Sequence, residues 1–124
     1  MSINTVGIVG AGTMGNGIAQ ACAVAGIRVV MVDIAQAAVD KGLATVGKSL
    51  DRLLQKEKIS EADKAAALGR IQGSTNYDDL KAAQLVIEAA TENHALKNKI
   101  LAQLDALLAP EVIIATNTSS ISIT

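Results

Sequence analysis

The sequence predicts an α/β fold, doubly wound about a mostly parallel sheet, and three observations carry that prediction. Short β-branched runs alternate with helical patterns along the whole chain. Half of the residues are hydrophobic, yet the only aromatic one is Tyr77, so Ala, Val, Ile and Leu must fill a core of the kind that helices packed closely on a sheet require. A G-x-G-x-x-G segment, Gly10-Ala11-Gly12-Thr13-Met14-Gly15, falls between the first strand pattern and the first helix pattern. The length of 124 residues suits one domain, placed at residues 1–124.

The elements follow in order. Thr5 to Gly10 is a short apolar run ending in glycine, a strand covered on both faces. From Thr13 to about Ala25 a helix is expected, with Met14, Ile18, Ala21, Cys22 and Ala25 as its apolar stripe and Gly26 as a left-handed stop. Arg28 to Asp33 is the second strand, set parallel beside the first by a right-handed crossover. A long amphipathic helix spans Ala35 to about Lys58 through Val39, Leu43, Val46, Leu50, Leu53 and Leu54. Ser60 to Asp63 has capping-box spacing and opens a second helix to about Gly69, so a helical hairpin is inserted after the second strand. Arg70 to Thr75 is a weak strand, Asn76 to Asp79 a turn or short helix start, and Leu85 to Ala89 a strong strand. Glu92 to Leu108 is a helix with Leu96, Ile100, Leu104 and Leu107 inward, Pro110 ends it, and Val112 to Thr116 is the last strand.

Charge and composition exclude several functions. Eleven basic against twelve acidic residues, with no basic block, offer nucleic acid no surface that would release its counterions. The apolar runs are too short for a membrane span, and the N-terminus lacks a signal-peptide pattern, which points to a cytoplasmic protein. One cysteine and one histidine are too few for a disulfide or a zinc site. Cys22 belongs to the core, His94 to the surface, and Glu88, inside a strand, needs a buried partner if it faces inward.

The glycine segment lies where a dinucleotide-binding (Rossmann) fingerprint belongs. Gly10 permits the tight turn, Gly12 lets a pyrophosphate approach the backbone, and Gly15 lets the helix pack on the strand. The N–H groups of the first helical turn, around Thr13 to Asn16, then face the phosphates with the positive end of the helix dipole, and Ala11, Thr13 and Met14 count with the three glycines as cofactor-binding residues. Asp33, eighteen residues after Gly15 at the end of the second strand, is suited to the adenosine ribose hydroxyls. Its charge would repel a 2′-phosphate, so NAD is preferred over NADP. The bland alternative is a tight turn with Asp33 capping the next helix.

The glycine segment, Asp33, Val86 to Ala90, Glu92-Asn93 and Asn117-Thr118-Ser119-Ser120 occur together in order. In these the sequence resembles the 3-hydroxyacyl-CoA dehydrogenases, with the bacterial 3-hydroxybutyryl-CoA enzymes the nearest in pattern. The resemblance implies nicotinamide-side contacts from Glu92 and Lys97, and a substrate-facing hydroxyl at Ser119 that also borders the cofactor. It further implies coenzyme A contacts from Ser49 and Lys56, and from Arg52 where relatives carry lysine. Ser49, Arg52 and Lys56 fall at i, i+3 and i+7, on one helix face, although Asp51, Glu57 and Glu61 nearby also suit an ordinary solvated face.

The activity implied is NAD-dependent interconversion of (3S)-3-hydroxyacyl-CoA and 3-ketoacyl-CoA, the short-chain pair 3-hydroxybutyryl-CoA and acetoacetyl-CoA in particular. The family's histidine–glutamate pair and an all-helical, dimer-forming C-terminal domain lie beyond the last loop of this sequence. The expectation is therefore a cofactor domain with little turnover of its own, from a homodimeric parent. Two alternatives stay open at this point: a non-catalytic NAD(H)-binding module, and the cofactor domain of another β-hydroxyacid dehydrogenase.

Overall fold

The computed structural model describes residues 3–89 and 94–116, with Thr13, His94, Leu96 and Thr116 described by backbone alone. Five strands, β1 (Thr5–Val9), β2 (Arg28–Val32), β3 (Ile71–Ser74), β4 (Leu85–Glu88) and β5 (Ile113–Thr116), form one sheet in the order β3-β2-β1-β4-β5. Every pairing is parallel. The order reverses at β1, which pairs with β2 on one side and β4 on the other, with Val6 opposite both Val29 and Leu85. In an open parallel sheet that reversal leaves a crevice at the carboxyl ends of the strands.

Helices cover both faces. On one lie α1 (Thr13–Val24), α2 (Gln36–Gln55) and α3 (Glu61–Arg70), where Val6, Ile8, Val29 and Met31 meet Ala19, Ala23, Val46 and Leu50. On the other, Val9, Val30, Val32 and Val86 meet Leu80 of a short 3-10 helix (Tyr77–Ala82) and Ile100 and Leu104 of α4 (His94–Leu107). The alternation of inward residues along β1 and β2 divides the apolar side chains between the two layers, as a sheet covered on both faces requires.

The helix after the glycine segment differs from the predicted stripe. Its buried residues are Gly15, Asn16, Ala19 and Ala23, with Ile18 and Cys22 half-buried, whereas Met14 is 55% exposed and Ala21 and Ala25 are exposed. The cause is steric. A Cβ on Gly15 would lie 2.2 Å from the Gly10 carbonyl oxygen, so the helix sits too close to the strand for large side chains, and its smallest residues face inward.

The helical hairpin forms as expected, but α2 stops at Gln55 rather than Lys58. Glu57 takes a left-handed φ of 59°, its N–H donates to Leu54 O at 3.0 Å, and the Lys58 N–H donates to Leu53 O at 2.9 Å. These are the two bonds of a Schellman motif. The same pair closes α1, where Gly26 (φ 95°) donates to Ala23 O and Ile27 to Cys22 O. Ser60 then caps α3 reciprocally: Ser60 Oγ accepts from Asp63 N at 3.1 Å, and Asp63 Oδ2 accepts from Ser60 N at 3.2 Å.

The two Schellman turns differ in the residue at the left-handed position, and glycine alone adopts that conformation without a Cβ clash worth roughly 1 kcal/mol. Glu57→Gly is therefore expected to raise stability by about 0.5–1 kcal/mol, read as an increased urea midpoint at unchanged m-value.

Candidate functional site

The carboxyl ends of β1 and β2 are bound together at the glycine turn. Gly10, at φ 113°, donates its N–H to Val32 O at 2.7 Å, and the chain then reverses into α1. Gly12 is the N-cap, and no side chain caps the helix there. A Cβ built on Gly12 would meet nothing within 4 Å, in contrast to Gly15. The amides that open α1 thus have no side-chain cap among the described residues, beside a position with room for an approaching group, which is the arrangement an anion needs. Met14, beside them, is exposed.

Asp33 follows β2 and braces this turn. Its Oδ2 accepts from Ala11 N at 3.0 Å, and its Oδ1 accepts from Ala35 N at 3.2 Å, at the N-cap of α2. The capping role and the site role therefore belong to one carboxylate. Each oxygen retains lone pairs beyond its backbone bond, so the group can still accept from two neighbouring hydroxyls.

Two cavities flank Asp33. The first, about 340 Å³, runs from Gly10 to Gly12 along α2 past Asn16, Lys41 and Thr45. The second, about 370 Å³, opens toward the 3-10 helix and α4, between Ile34, Tyr77 and Ile100. Burial and the charges of Asp33 and Glu88 push the Tyr77 phenol above its usual range, so it is protonated at neutral pH.

The residues present fit a dinucleotide: an uncapped helix start for the diphosphate, a glycine whose missing side chain leaves the approach clear, and a fixed carboxylate for the ribose. Asn16, Lys41 and Tyr77 are cavity residues that the sequence motif did not single out. Gly42 was the available signal for Asn16. A Cβ there would meet Asn16 Oδ1 at 2.8 Å and Ala11 O at 2.9 Å, so a glycine inside a strong helix pattern marks where α2 closes on the turn. Asn16 Oδ1 is buried with no hydrogen-bond partner among the described residues.

The remaining expected residues are distributed as follows. Ser49 and Arg52 border a further cavity of about 250 Å³ between α1 and α2, shared with Asn16, Gln20 and Lys48. Lys56 is exposed at the C-cap of α2, one residue beyond the helix. Asp51, the acidic neighbour of this face, pairs with Lys64 of α3. Lys97 is buried, and its Nζ lies 2.9 Å from Glu88 Oε1, so the strand carboxylate has the inward partner it was expected to need. Glu92 and Ser119 lie outside the described residues.

Other candidates carry no site. Cys22 packs against the core, and burial pushes its thiol up, away from the reactive thiolate. Among the described residues no group of three or more His, Cys, Asp or Glu could hold a metal ion, and no helix is long and apolar enough to cross a membrane.

Comparisons with known proteins agree with this geometry. The family profile described as 3-hydroxyacyl-CoA dehydrogenase, NAD binding domain, matches residues 5–124. The 3-hydroxybutyryl-CoA dehydrogenase of Bradyrhizobium diazoefficiens is 46% identical over 122 residues, which are 98% of this chain and 42% of that protein. The crystal structure of (S)-3-hydroxybutyryl-CoA dehydrogenase PaaH1 from Ralstonia eutropha superposes with a TM-score of 0.95 at 73% identity, covering 99% of this chain and 44% of that one. FadB2 of M. tuberculosis superposes with the same TM-score at 42% identity, over 99% of this chain and 44% of its own. The chain thus spans less than half the length of these relatives.

The buried ion pair gives a test of what holds α4 to β4. Glu88→Leu would remove the carboxylate 2.9 Å from the buried Lys97 ammonium and is expected to cost about 3–5 kcal/mol, whereas adding Lys97→Met should recover part of the loss. Urea unfolding of the two single variants and the double variant measures the coupling.

Proposed function

This chain belongs to the NAD-binding domain family of the 3-hydroxyacyl-CoA dehydrogenases, and from that premise we propose that it is the cofactor half of an oxidoreductase interconverting (3S)-3-hydroxyacyl-CoA and 3-ketoacyl-CoA. NAD is the cofactor. The observation that carries the reading is the shared cavity in which the open Gly12 turn and the braced Asp33 carboxylate lie. The names of the relatives support short-chain substrates, 3-hydroxybutyryl-CoA and acetoacetyl-CoA.

NAD, when bound, supplies the carbon that exchanges hydride with the carbinol carbon of the substrate. The chain's own residues do the rest of the holding. The amides from Ala11 to Gly15, with Thr13 and Met14 at the helix start, receive the diphosphate, and Asp33 accepts from the ribose hydroxyls while keeping its bond to Ala11 N. Glu92 and Lys97 are assigned to the nicotinamide end, with Glu88 fixing the lysine side chain at 2.9 Å. The Ser119 hydroxyl hydrogen-bonds the reacting oxygen. Ser49, Arg52 and Lys56 take the coenzyme A end, supported by their placement along α2 and by Asp51 being engaged elsewhere.

The proton of the carbinol oxygen requires a titrating partner near neutral pH, and the family pattern puts it in a histidine–glutamate pair beyond Ser119. The 124-residue chain by itself is therefore expected to bind NADH while reducing acetoacetyl-CoA at least 10²-fold more slowly than the full-length enzyme, an order of magnitude set by loss of general acid catalysis. Turnover approaching that of the full-length enzyme would overturn the assignment of the proton to a residue outside this chain.

Gly12→Val sets a branched side chain in the diphosphate path at a position where the fold itself has room. Calorimetric NADH affinity should fall by roughly tenfold or more with an unaltered circular dichroism spectrum, and undiminished affinity would remove the cofactor from this turn. For the substrate end, Lys56→Ala in the full-length enzyme should raise the KM for acetoacetyl-CoA by up to about tenfold and leave the KM for NADH unchanged. An unmoved acetoacetyl-CoA KM would return Lys56 to an ordinary solvated role.

A further inference from the structure

The helix α1 has two apolar faces, and the domain buries only one of them. Gly15, Ala19 and Ala23 lie against the sheet, and Asn16 and Gln20 border the cavity toward α2. The flank that remains is the stripe of Met14, Ile18, Ala21, Cys22 and Ala25 that the spacing predicts as buried. Met14, Ala21 and Ala25 are exposed there, Ile18 and Cys22 are half-buried, and no residue of the helix is charged. A solvated helix flank ordinarily carries charges, so an uncharged apolar one marks a contact surface.

The sheet continues that surface. On this side α1, α2 and α3 pack on β1, β2 and β3, whereas α4, the helix that meets β4 and β5, is on the opposite face. Leu85 and Ile87 of β4 are only half-buried on the α1 side, and Ile113 of β5, in register with Leu85, is 50% exposed. Among the described residues no helix lies across these two strands there. Two strands are about 10 Å across, close to the diameter of one helix, so the open strip beside α1 has the width of a single added helix. Gly17, Ala21 and Ala25, four residues apart along its border, lack the bulk that would hold that helix away.

The relatives indicate where such a helix comes from. They match 98–99% of this chain, yet the match is only 42–44% of their own length, so more than half of each lies outside this domain. The strand β5, at the edge of the sheet, borders the open strip, and a chain continuing from it reaches the strip without crossing another element. We propose that a helix from the portion of the parent protein outside residues 1–124 docks over β4 and β5 alongside α1, with Ile18, Ala21 and Ile113 at the contact. Met14 opens the same flank, so the contact also seats the rest of the parent at the edge of the glycine turn. The inference rests on the length of the relatives and not on the cofactor reading, and either can fail without the other.

Ala21→Glu puts a carboxylate at a position that is exposed in the 124-residue chain and covered in the proposed contact. Ala66→Glu, at an exposed position of α3, is the matched control. In the 124-residue chain the two variants should have the same urea midpoint. In the full-length enzyme Ala21→Glu should speed proteolytic cleavage between this domain and the remainder by roughly tenfold or more, because an unpaired charge in an apolar contact opens it, while Ala66→Glu is cut at the wild-type rate. Ile113→Thr, a milder change on the sheet side of the strip, should act in the same direction and supplies the test where full-length Ala21→Glu fails to accumulate.

Cleavage at the wild-type rate in both Ala21→Glu and Ile113→Thr would overturn the proposal. So would sedimentation in which the 124-residue chain dimerises, Ala21→Glu abolishes the dimer and the cleavage of the full-length enzyme is unmoved, since a second copy would then be the occupant of this face.

Discussion

The close approach of α1 to β1 constrains everything at the carboxyl edge of the sheet. With the Gly10 carbonyl oxygen only 2.2 Å from where a Gly15 Cβ would be, no side chain fits between strand and helix. The helix start is thereby brought directly over the strand end, with its free amides at the surface. The same closeness selects Ala19 and Ala23 for the inner face, which in turn lets α2 draw near enough for Gly42 to touch Asn16 and Ala11. An uncapped helix start at the sheet edge and a tightly packed layer are one geometric consequence of that contact.

Two carboxylates then fix the edge, and they do so in opposite ways. Asp33 is bonded to backbone amides on both sides, so β2, the glycine turn and α2 are joined by a group that still reaches the cavities. Glu88 is fully buried and bonded to Lys97, joining β4 to α4 out of solvent. A buried pair of that kind adds little net stability over an apolar pair, because both charges are desolvated, but losing either partner is expensive. The physical effect is to set the position of the Lys97 ammonium with little freedom, which suits a charge proposed for the nicotinamide end.

Much of this was legible in order along the chain. The strands, the helical hairpin and its capping box follow from β-branched runs, 3.6-residue spacing and Ser60 with Asp63, all local signals. Gly10, Gly15 and Asp33 were legible because each answers to a requirement of the turn itself. The inward face of α1 was not, since an apolar-stripe rule favours Met14 and Ile18 over Gly15 and Ala19 and takes no account of how closely a partner strand can come. The end of α2 was missed for a related reason: Glu57 is a poor left-handed residue, and the chain accepts it because the hairpin must turn there.

By itself, then, the sequence determined the element order, the parallel sheet, the tight glycine turn and the carboxylate beside it, because periodicity and glycine spacing act within a few residues. Only the tertiary structure decided which residues share a cavity. Ile34 and Tyr77 are 43 positions apart in the sequence and meet at one opening. They do so because the sheet order puts the ends of β2 and β1 beneath a 3-10 helix and α4 that arrive from the other side of the reversal. That juxtaposition depends on where crossovers pack, a property of the whole sheet that no local pattern encodes.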